Sequence, residues 1–258
     1  MTALLAAGDV VSHLVDQPLF GRWLTAHHAL LGAVSAVMIV GFTLVARRAR
    51  AGAPVGLGGL VEMSLVWVRD EIVYHWLGEH GGRRYLYFFW TVFFFILLSN
   101  LLGLLPFPFN PWGRTATGNL MVTGGLAVVT FVTVQVTGMR THGAAGYWIH
   151  LVPAGVPWWL WPIVWPIEFF GLFVKPFALT IRLFANMTAG HAILAVLVGF
   201  LIGVRHYGNV VVGGAASVAS LAFMLFIMLF ETLVALIQAY IFTTLSAIFV
   251  SLAAAKEH

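Results

Sequence analysis

Two apolar runs of about 40 residues each, 163–203 and 209–253, constrain the fold of this chain more than any other feature. As helices rising 1.5 Å per residue, each would be about 60 Å long, roughly twice the thickness of the hydrocarbon core of a bilayer. Each run is therefore either a hairpin or one helix at a steep tilt. In the first run Gly190 stands alone and Pro176 is followed by a good helical sequence, so we predict two long, steeply tilted helices.

The composition of the chain predicts a membrane protein. Of its 258 residues, 61% are hydrophobic and only 9% are charged, so its apolar surface exceeds what one soluble core could bury. Three further apolar runs can each span a bilayer, namely Ala29–Ala46, Tyr85–Leu105 and Asn119–Met139. We therefore predict an all-α membrane protein with about five membrane helices, which forms a single membrane domain over residues 1–258.

Two other segments are typical of helices that lie at the membrane surface. Residues 61–82 mix charged residues with Leu, Val and Trp, which predicts an interfacial amphipathic helix after a linker at 51–59. Residues 147–162 are rich in Trp and Pro, and we interpret them as interfacial as well. The predicted organisation is an N-terminal region with the first span, 1–60, then the interfacial helix, then the remaining helices of residues 85–258.

The basic residues predict the orientation of the chain in the membrane, because Lys and Arg favour the cytosolic side. In this arrangement one side carries Arg47, Arg48, Arg50, Arg69, Arg83, Arg84, Arg140 and Lys256. The other side carries Arg22, Arg114 and Arg205. We expect the N-terminus outside and the C-terminus in the cytosol.

Several classes of protein and site are disfavoured by what the sequence contains. The first residues, MTALLAAGDVV, lack a basic region, so we expect neither a cleaved signal nor a transit peptide, which favours a bacterial inner membrane. The net charge of +4 is explained by membrane topology, and no nucleic-acid partner is expected. Without cysteine the chain has no disulfide, thiolate zinc site or cysteine nucleophile, and we expect no metal or cofactor site.

Ionisable and amide side chains interrupt the two long apolar runs. They are Glu168, Lys175, Arg182, His191, Glu231 and Gln238. A charge at the centre of a membrane helix costs about 2.5–3.5 kcal/mol, so such residues need partners or water and are functional hypotheses by default. The first three recur at every seventh position and share a narrow stripe of one helix face. The alternative is that these three form an internal salt bridge that only helps the helix to fold.

Antiparallel packing of the two long helices would bring two of these residues together. If Arg182 lies level with Gln238, then His191 and Glu231 meet on the outer side of that level. Imidazole titrates near neutral pH and a Glu carboxyl can be tuned towards it, which predicts a proton relay, whereas the alternative is a hydrogen-bonded buried pair. Glu168 lies about 20 Å from Arg182 in the cytosolic direction.

Three segments of the chain carry motifs of a known family. Residues Glu168–His191 read EFFGLFVKPFALTIRLFANMTAGH and resemble the signature helix of ATP synthase a subunits. Residues Leu236–Ser246, LIQAYIFTTLS, resemble the last helix of that family, and Ser99–Pro106, SNLLGLLP, resemble the end of its second span. The three matches are distributed over residues 85–253, and the chain is identified as similar to the bacterial-type a subunits of F-type ATP synthases.

The resemblance implies a proton-conducting stator subunit, in which two offset half-channels deliver protons to and from a carboxylate of a rotating c ring. Arg182 matches the essential arginine that faces this carboxylate and separates the half-channels. Gln238 matches its polar companion and Asn186 a nearby hydrogen-bonding residue. Glu168 matches a carboxylate near the cytosolic access path, whereas Lys175 matches a structural or interfacial position.

The chain departs from many bacterial members of the family at three positions. His191 stands where those members have Glu, and Glu231 stands where they have His, so the pair is kept in exchanged order, as in mitochondrial members. Asn119 stands where a number of bacterial members have Asp, which makes it a weaker candidate for the outer path.

The resemblance also implies the partners. It implies a c-subunit ring, a b-subunit peripheral stalk, the other ATP synthase subunits and the lipid bilayer, and a chain that is not catalytic by itself and needs no cofactor. An ion-coupled secondary transporter is the alternative, although that class usually has internal repeats, and none is visible. An intramembrane enzyme would need a nucleophile or a metal cluster, and His191 with Glu231 alone is too little.

Overall fold

The computed structural model describes residues 18–20, 24–49, 57–104, 115–149, 151–152, 156–204 and 210–255. Parts of the predictions lie outside these ranges. They concern the first residues, most of the linker at 51–59, and the orientation residues Arg22, Arg50, Arg114, Arg205 and Lys256.

Helices account for nearly all of the described residues, which confirms the all-α prediction. The strands β1 (Pro18–Phe20) and β2 (Leu24–Thr25) form a short antiparallel pair before helix α1 (Ala26–Ala49). Helix α2 (Leu57–Trp67) continues through a π-helical segment (Val68–Tyr74) into α3 (His75–Leu104). A 3₁₀ turn (Ala116–Gly118) leads to α4 (Leu120–His142) and the short α5 (Ala144–Ile149). A second 3₁₀ turn (Trp158–Leu160) precedes the two long helices, α6 (Trp161–Val204) and α7 (Val210–Ala254).

The helices have the length and composition that membrane crossing requires. Among the described residues four helical runs qualify, namely Gly58–Leu104, Leu120–His142, Trp158–Phe200 and Gly214–Ala254. The apolar part of α1, Leu31–Leu44, is shorter than these. The structure therefore agrees with the prediction of a membrane protein with about five membrane helices.

Helices α6 and α7 are continuous over 44 and 45 residues, so neither apolar run is a hairpin. Pro166 and Pro176 lie inside α6 without ending it. The carbonyl of Pro176 accepts a hydrogen bond of 3.0 Å from the hydroxyl of Thr180, one turn further along. At 1.5 Å per residue each helix is about 66 Å long, roughly twice the hydrocarbon core, and the steep tilt that this requires stays a prediction.

The predicted interfacial helix and second span form a single helical run with two irregularities. Val68–Tyr74 is π-helical, and Gly78 has a positive φ of 71°, a conformation that L side chains rarely adopt. Charges in this region are paired on the surface: Arg69 with Asp70 at 2.7 Å and Arg83 with Glu79 at 2.8 Å. The predicted linker to residue 59 is too long, because the helix already begins at Leu57 and includes Gly58 and Gly59.

The chain divides into two compact units, each assembled from segments that are distant in sequence. Unit 1 comprises Met1–Met38, Phe95–Asn119 and Leu183–Gln238, and unit 2 comprises Ile39–Phe94, Leu120–Arg182 and Ala239–His258.

Aromatic and small residues make the contacts inside unit 2. The indole of Trp90 donates to the carbonyl of Leu65 at 2.9 Å, which joins α3 to α2. Tyr85 of α3 shares a hydrogen bond of 2.8 Å with Thr137 of α4. Gly138 of α4 packs so closely on the ring of Tyr147 that a methyl group at this position would overlap the ring. Glycine thus allows α4 and α5 to approach each other.

Buried polar residues mark unit 1 at the end of α3. Asn100 and Ser99 are almost completely buried, and the hydroxyl of Thr117 donates to the side-chain oxygen of Asn100. Gly103 packs against Thr115 with no room for a larger side chain. This polar contact fixes the 3₁₀ turn that precedes α4.

Candidate functional site

Arg182 lies on α6 with its guanidinium exposed. The flanking residues Leu179 and Leu183 are 2% and 0% exposed, so α6 buries the face that these leucines share and leaves Arg182 uncovered. Arg182 forms no hydrogen bond or ion pair with the described residues of its own unit. In a membrane an uncovered cation of this kind needs a partner from outside the chain, or water.

The internal salt bridge that is the alternative explanation of the charged stripe of α6 is not formed by the described residues. Neither Glu168 nor Lys175 makes an ion pair with a described residue of its unit. The ammonium group of Lys175 instead lies 5.5 Å from the centre of the Phe249 ring of α7, within cation–π distance. The alternative of a purely structural salt bridge therefore loses its support.

Asn186 and Gln238 form a direct link between α6 and α7. The side-chain nitrogen of Asn186 donates to the side-chain oxygen of Gln238 at 3.0 Å. Gln238 is only 2% exposed, whereas Asn186 is exposed. The hydrogen bond joins Gln238 to the residue one helical turn beyond Arg182, whereas the expectation from sequence put Gln238 level with Arg182 itself. Two candidate residues are thus brought together.

Glu231 is held in a tight contact with Gly190, and we call the group of Gly190, His191 and Glu231 the Glu231 contact. Glu231 is 9% exposed, and its carboxyl group occupies the place that a side chain at Gly190 would need. Because position 190 pairs with 231 while 186 pairs with 238, the two helices are antiparallel in unit 1, as predicted.

The Glu231 contact places Glu231 beside the residue that precedes His191 but does not join the two side chains by a hydrogen bond. One carboxyl oxygen of Glu231 is buried and has no hydrogen-bond partner among the described residues. His191 is half-buried. Leaving such a buried polar atom without a partner costs about 1–3 kcal/mol, and this carboxyl oxygen lies in the tight contact with Gly190.

A cavity of about 410 Å³ lies in unit 2, and we call it the Glu168 cavity. Its polar lining comes from α4, α5 and α6 and comprises Thr130, Gln135, Tyr147, Glu168 and Lys175. Glu168 is half-buried here. Burial raises the pKa of Tyr147, so its hydroxyl stays protonated at neutral pH and can donate a hydrogen bond. The predicted candidate Glu168 therefore has space for water beside it.

Gln135 is a residue of this cavity that the sequence analysis did not select. It is 8% exposed, and neither atom of its amide group has a hydrogen-bond partner among the described residues. The sequence does indicate this residue, because it places a glutamine inside the predicted third span, and polar side chains within membrane helices usually mark functional positions. Its neighbours became apparent only from the packing of the helices.

Asn119 lies at the start of α4. Its backbone amide donates to the carbonyl of Ala116 at 3.3 Å, and its side chain is half-buried. The residue thus ends the 3₁₀ turn in unit 1.

The sequence places the chain in a family of membrane subunits. Residues 29–251 match the model of the ATP synthase A chain family, so the chain belongs to this family. The match confirms the resemblance of the α6 and α7 motifs and leaves the secondary-transporter alternative without support.

Bacterial relatives agree with this membership. The chain is 47% identical to ATP synthase subunit a of Myxococcus xanthus (strain DK1622) over 206 residues, which cover 80% of this chain and 64% of the relative. It is 44% identical over 246 residues to ATP synthase subunit a 2 of Chlorobium luteolum, with 93% and 68% covered. It is 43% identical over 254 residues to ATP synthase subunit a of Chlorobium phaeobacteroides, with 97% and 70% covered. The chain therefore spans about two thirds of the length of these relatives.

Proposed function

We propose that the chain is the proton-conducting stator subunit of an F-type ATP synthase, with Arg182 as the charge that separates two half-channels. The observation that carries the proposal is the exposed guanidinium of Arg182, unpaired within its own unit, on a 44-residue apolar helix. A cation in that position is costly unless an anion from a neighbouring subunit faces it. A carboxylate on a rotating c ring has this chemistry.

The permanent charge of Arg182 determines the mechanism. Its guanidinium stays protonated at any working pH, so protons cannot pass it directly. A c-ring carboxylate that arrives beside it is favoured in the deprotonated form and releases its proton to the inner path. On leaving, the carboxylate collects another proton from the outer path. Rotation is thereby coupled to proton transfer.

Separate groups serve the two paths in this proposal. Glu168 and its cavity form the inner path, towards the cytosol. His191 and Glu231 form the outer path, with Asn119 as a weaker contributor. The hydrogen-bonded pair of Asn186 and Gln238 provides amide dipoles next to the level of Arg182.

We propose a matching orientation and set of partners. The N-terminus lies outside and the C-terminus in the cytosol of a bacterial cell with the chain in its inner membrane, because the basic residues favour that side. The c-subunit ring and the b-subunit peripheral stalk are the direct partners. The chain supplies the proton path without catalysing a reaction by itself and without a cofactor.

The test is ATP-driven acidification of inverted membrane vesicles that contain assembled complexes with Arg182→Ala. We expect pumping and ATP synthesis to be abolished, while assembly survives and passive proton leakage rises. Arg182→Lys should fail as well, because an ammonium group within the membrane can lose its proton and lacks the planar fork of guanidinium. Arg140→Ala is the matched control, since Arg140 is also exposed but lies in the last turn of α4. Parental pumping by Arg182→Ala would refute the proposal.

A further inference from the structure

The side-chain amide of the Glu168 cavity belongs to Gln135, which lies beside the hydroxyl of Tyr147 but makes no hydrogen bond of normal geometry with it. Gln135 of α4 is 8% exposed, and its side-chain nitrogen and oxygen both lack a partner among the described residues. A primary amide offers two donors and one acceptor. Buried groups of this kind are satisfied in nearly all proteins, by ordered water where no protein atom is available.

The cavity meets the conditions for water. Its volume of about 410 Å³ is many times what one water molecule needs. The residues that line it also include Glu168, Lys175 and Tyr147, each of which has a polar or charged side chain. Several polar partners are therefore available to each water molecule, whereas a purely apolar cavity of the same size would stay dry.

We infer that Gln135 binds and orients the water of the Glu168 cavity and is a positioning residue for proton exchange on the inner side. This inference rests on the proposed function. An amide can donate and accept at the same time, so it can connect neighbouring molecules of a water chain. It cannot titrate at a working pH, so it positions the water while Glu168 remains the group that exchanges protons.

Hydration of the cavity can be measured independently of proton pumping. The chain has no cysteine, so Gln135→Cys introduces its only thiol. Because the thiolate is the reactive form and needs water, a small cationic methanethiosulfonate should modify this residue from the cytosolic face of inverted vesicles. Val132→Cys is the matched control, since Val132 is 50% exposed on the outside of the same helix about 4.5 Å away along its axis.

We expect the reagent to modify Gln135→Cys at least about tenfold faster than Val132→Cys. Mass spectrometry of the isolated chain measures both rates. Equal rates at the two positions would overturn the inference of a hydrated cavity. The result does not depend on whether the complex pumps protons, so it is distinct from the test of Arg182.

The positioning role is tested by proton flux. In assembled complexes Gln135→Leu should reduce ATP-driven acidification about fivefold, the factor that corresponds to one lost hydrogen bond. Gln135→Asn keeps a side-chain amide with its donors and its acceptor and should restore most of the flux. Parental flux in the leucine variant, or no rescue by asparagine, would refute the role of Gln135 while leaving the proposed function to the Arg182 variants. If the leucine variant does not assemble, the labelling rates of the two cysteine variants still decide whether water fills the cavity beside position 135.

Discussion

The Glu168 cavity and the Glu231 contact are both polar regions of apolar helices, but they differ in packing. The cavity leaves about 410 Å³ around Glu168, Gln135 and Lys175. At the Glu231 contact the carboxyl group lies directly on the backbone of Gly190, with no space for even a methyl group. Water can therefore take the place of a lost side-chain group in the Glu168 cavity, but not at the Glu231 contact.

This difference leads to different tolerance of substitution. A water molecule that replaces a side-chain group in a roomy polar cavity restores much of the lost hydrogen bonding. A close contact leaves no space for such a water molecule, and its packed side chains must shift or become strained when volume is added. We therefore expect the largest functional effects at the Glu231 contact and smaller ones in the cavity.

Among the substitutions in these two regions, the largest effect is expected from Gly190→Ala. The added methyl group would overlap the carboxyl group of Glu231 and displace it, so ATP-driven acidification should fall by about tenfold or more, as expected for overpacking of 1–3 kcal/mol. Gly199→Ala is the matched control on the same helix, because a methyl group there has no described atom within 4 Å.

The Gly199→Ala complexes should pump at nearly the parental rate. Equal effects of the two alanine substitutions would indicate a general intolerance of α6 to alanine. In that case the tight packing of Glu231 would not explain why the Glu231 contact tolerates substitution less well than the Glu168 cavity.

The next effect concerns the identity of the groups at the Glu231 contact. The double variant with His191→Glu and Glu231→His should pump better than either single variant, because each single change leaves two like groups with coupled titrations. Rates of acidification in vesicles with equal amounts of assembled complex measure this. A double variant no better than the worse single variant would contradict the pairing.

The two long helices could be predicted from sequence because no cluster of turn-forming residues interrupts the middle of either apolar run. The predicted runs 163–203 and 209–253 agree with α6 and α7 within two residues at every end. Pro176 was the strongest argument against one continuous helix over 163–203, yet α6 continues through it. The break at Gly78 and the π-helical segment before it were not predicted, since a single glycine among charged residues gives no signal for either.

Candidate residues could be selected from sequence where they interrupt an apolar helix and not where only packing reveals them. Arg182, Gln238 and Glu231 were selected because charges and amides are rare in apolar helices. Gln135 was missed because its buried amide acquires meaning only when α4, α5 and α6 enclose a cavity around it. The partner of Gln238 also depends on the rotation and register of two helices, which the spacing of residues in one chain does not determine.

Within the Glu168 cavity, Glu168→Gln should reduce proton exchange about two- to fivefold without uncoupling the complex. The amide still binds water but cannot titrate, so the water chain survives while its proton-exchanging group is lost. Acidification rates between about pH 6 and 9 test this, with passive leakage as the measure of coupling. Parental activity over the whole range would return Glu168 to a structural role.

The smallest effect is expected from Lys175→Met, which removes the charge at the edge of the same cavity while keeping a flexible apolar side chain. Lys175 is exposed and lies 5.5 Å from the Phe249 ring, an arrangement worth about 0.5–1 kcal/mol at exposed sites. The midpoint of thermal denaturation of the purified complex should fall by about 2 °C, and pumping should stay within about twofold of the parental rate.

Phe249→Leu provides the matched variant for this contact, because it removes the ring and leaves Lys175 in place. If the cation–π contact is the only role of Lys175, the two substitutions together should destabilise the complex no more than the larger of the two alone. A loss of pumping as large as that of Glu168→Gln, with unchanged thermal stability, would instead make Lys175 part of the proton path. The cavity would then depend on a fixed charge as the Glu231 contact depends on fixed packing, and the contrast between the two regions would disappear.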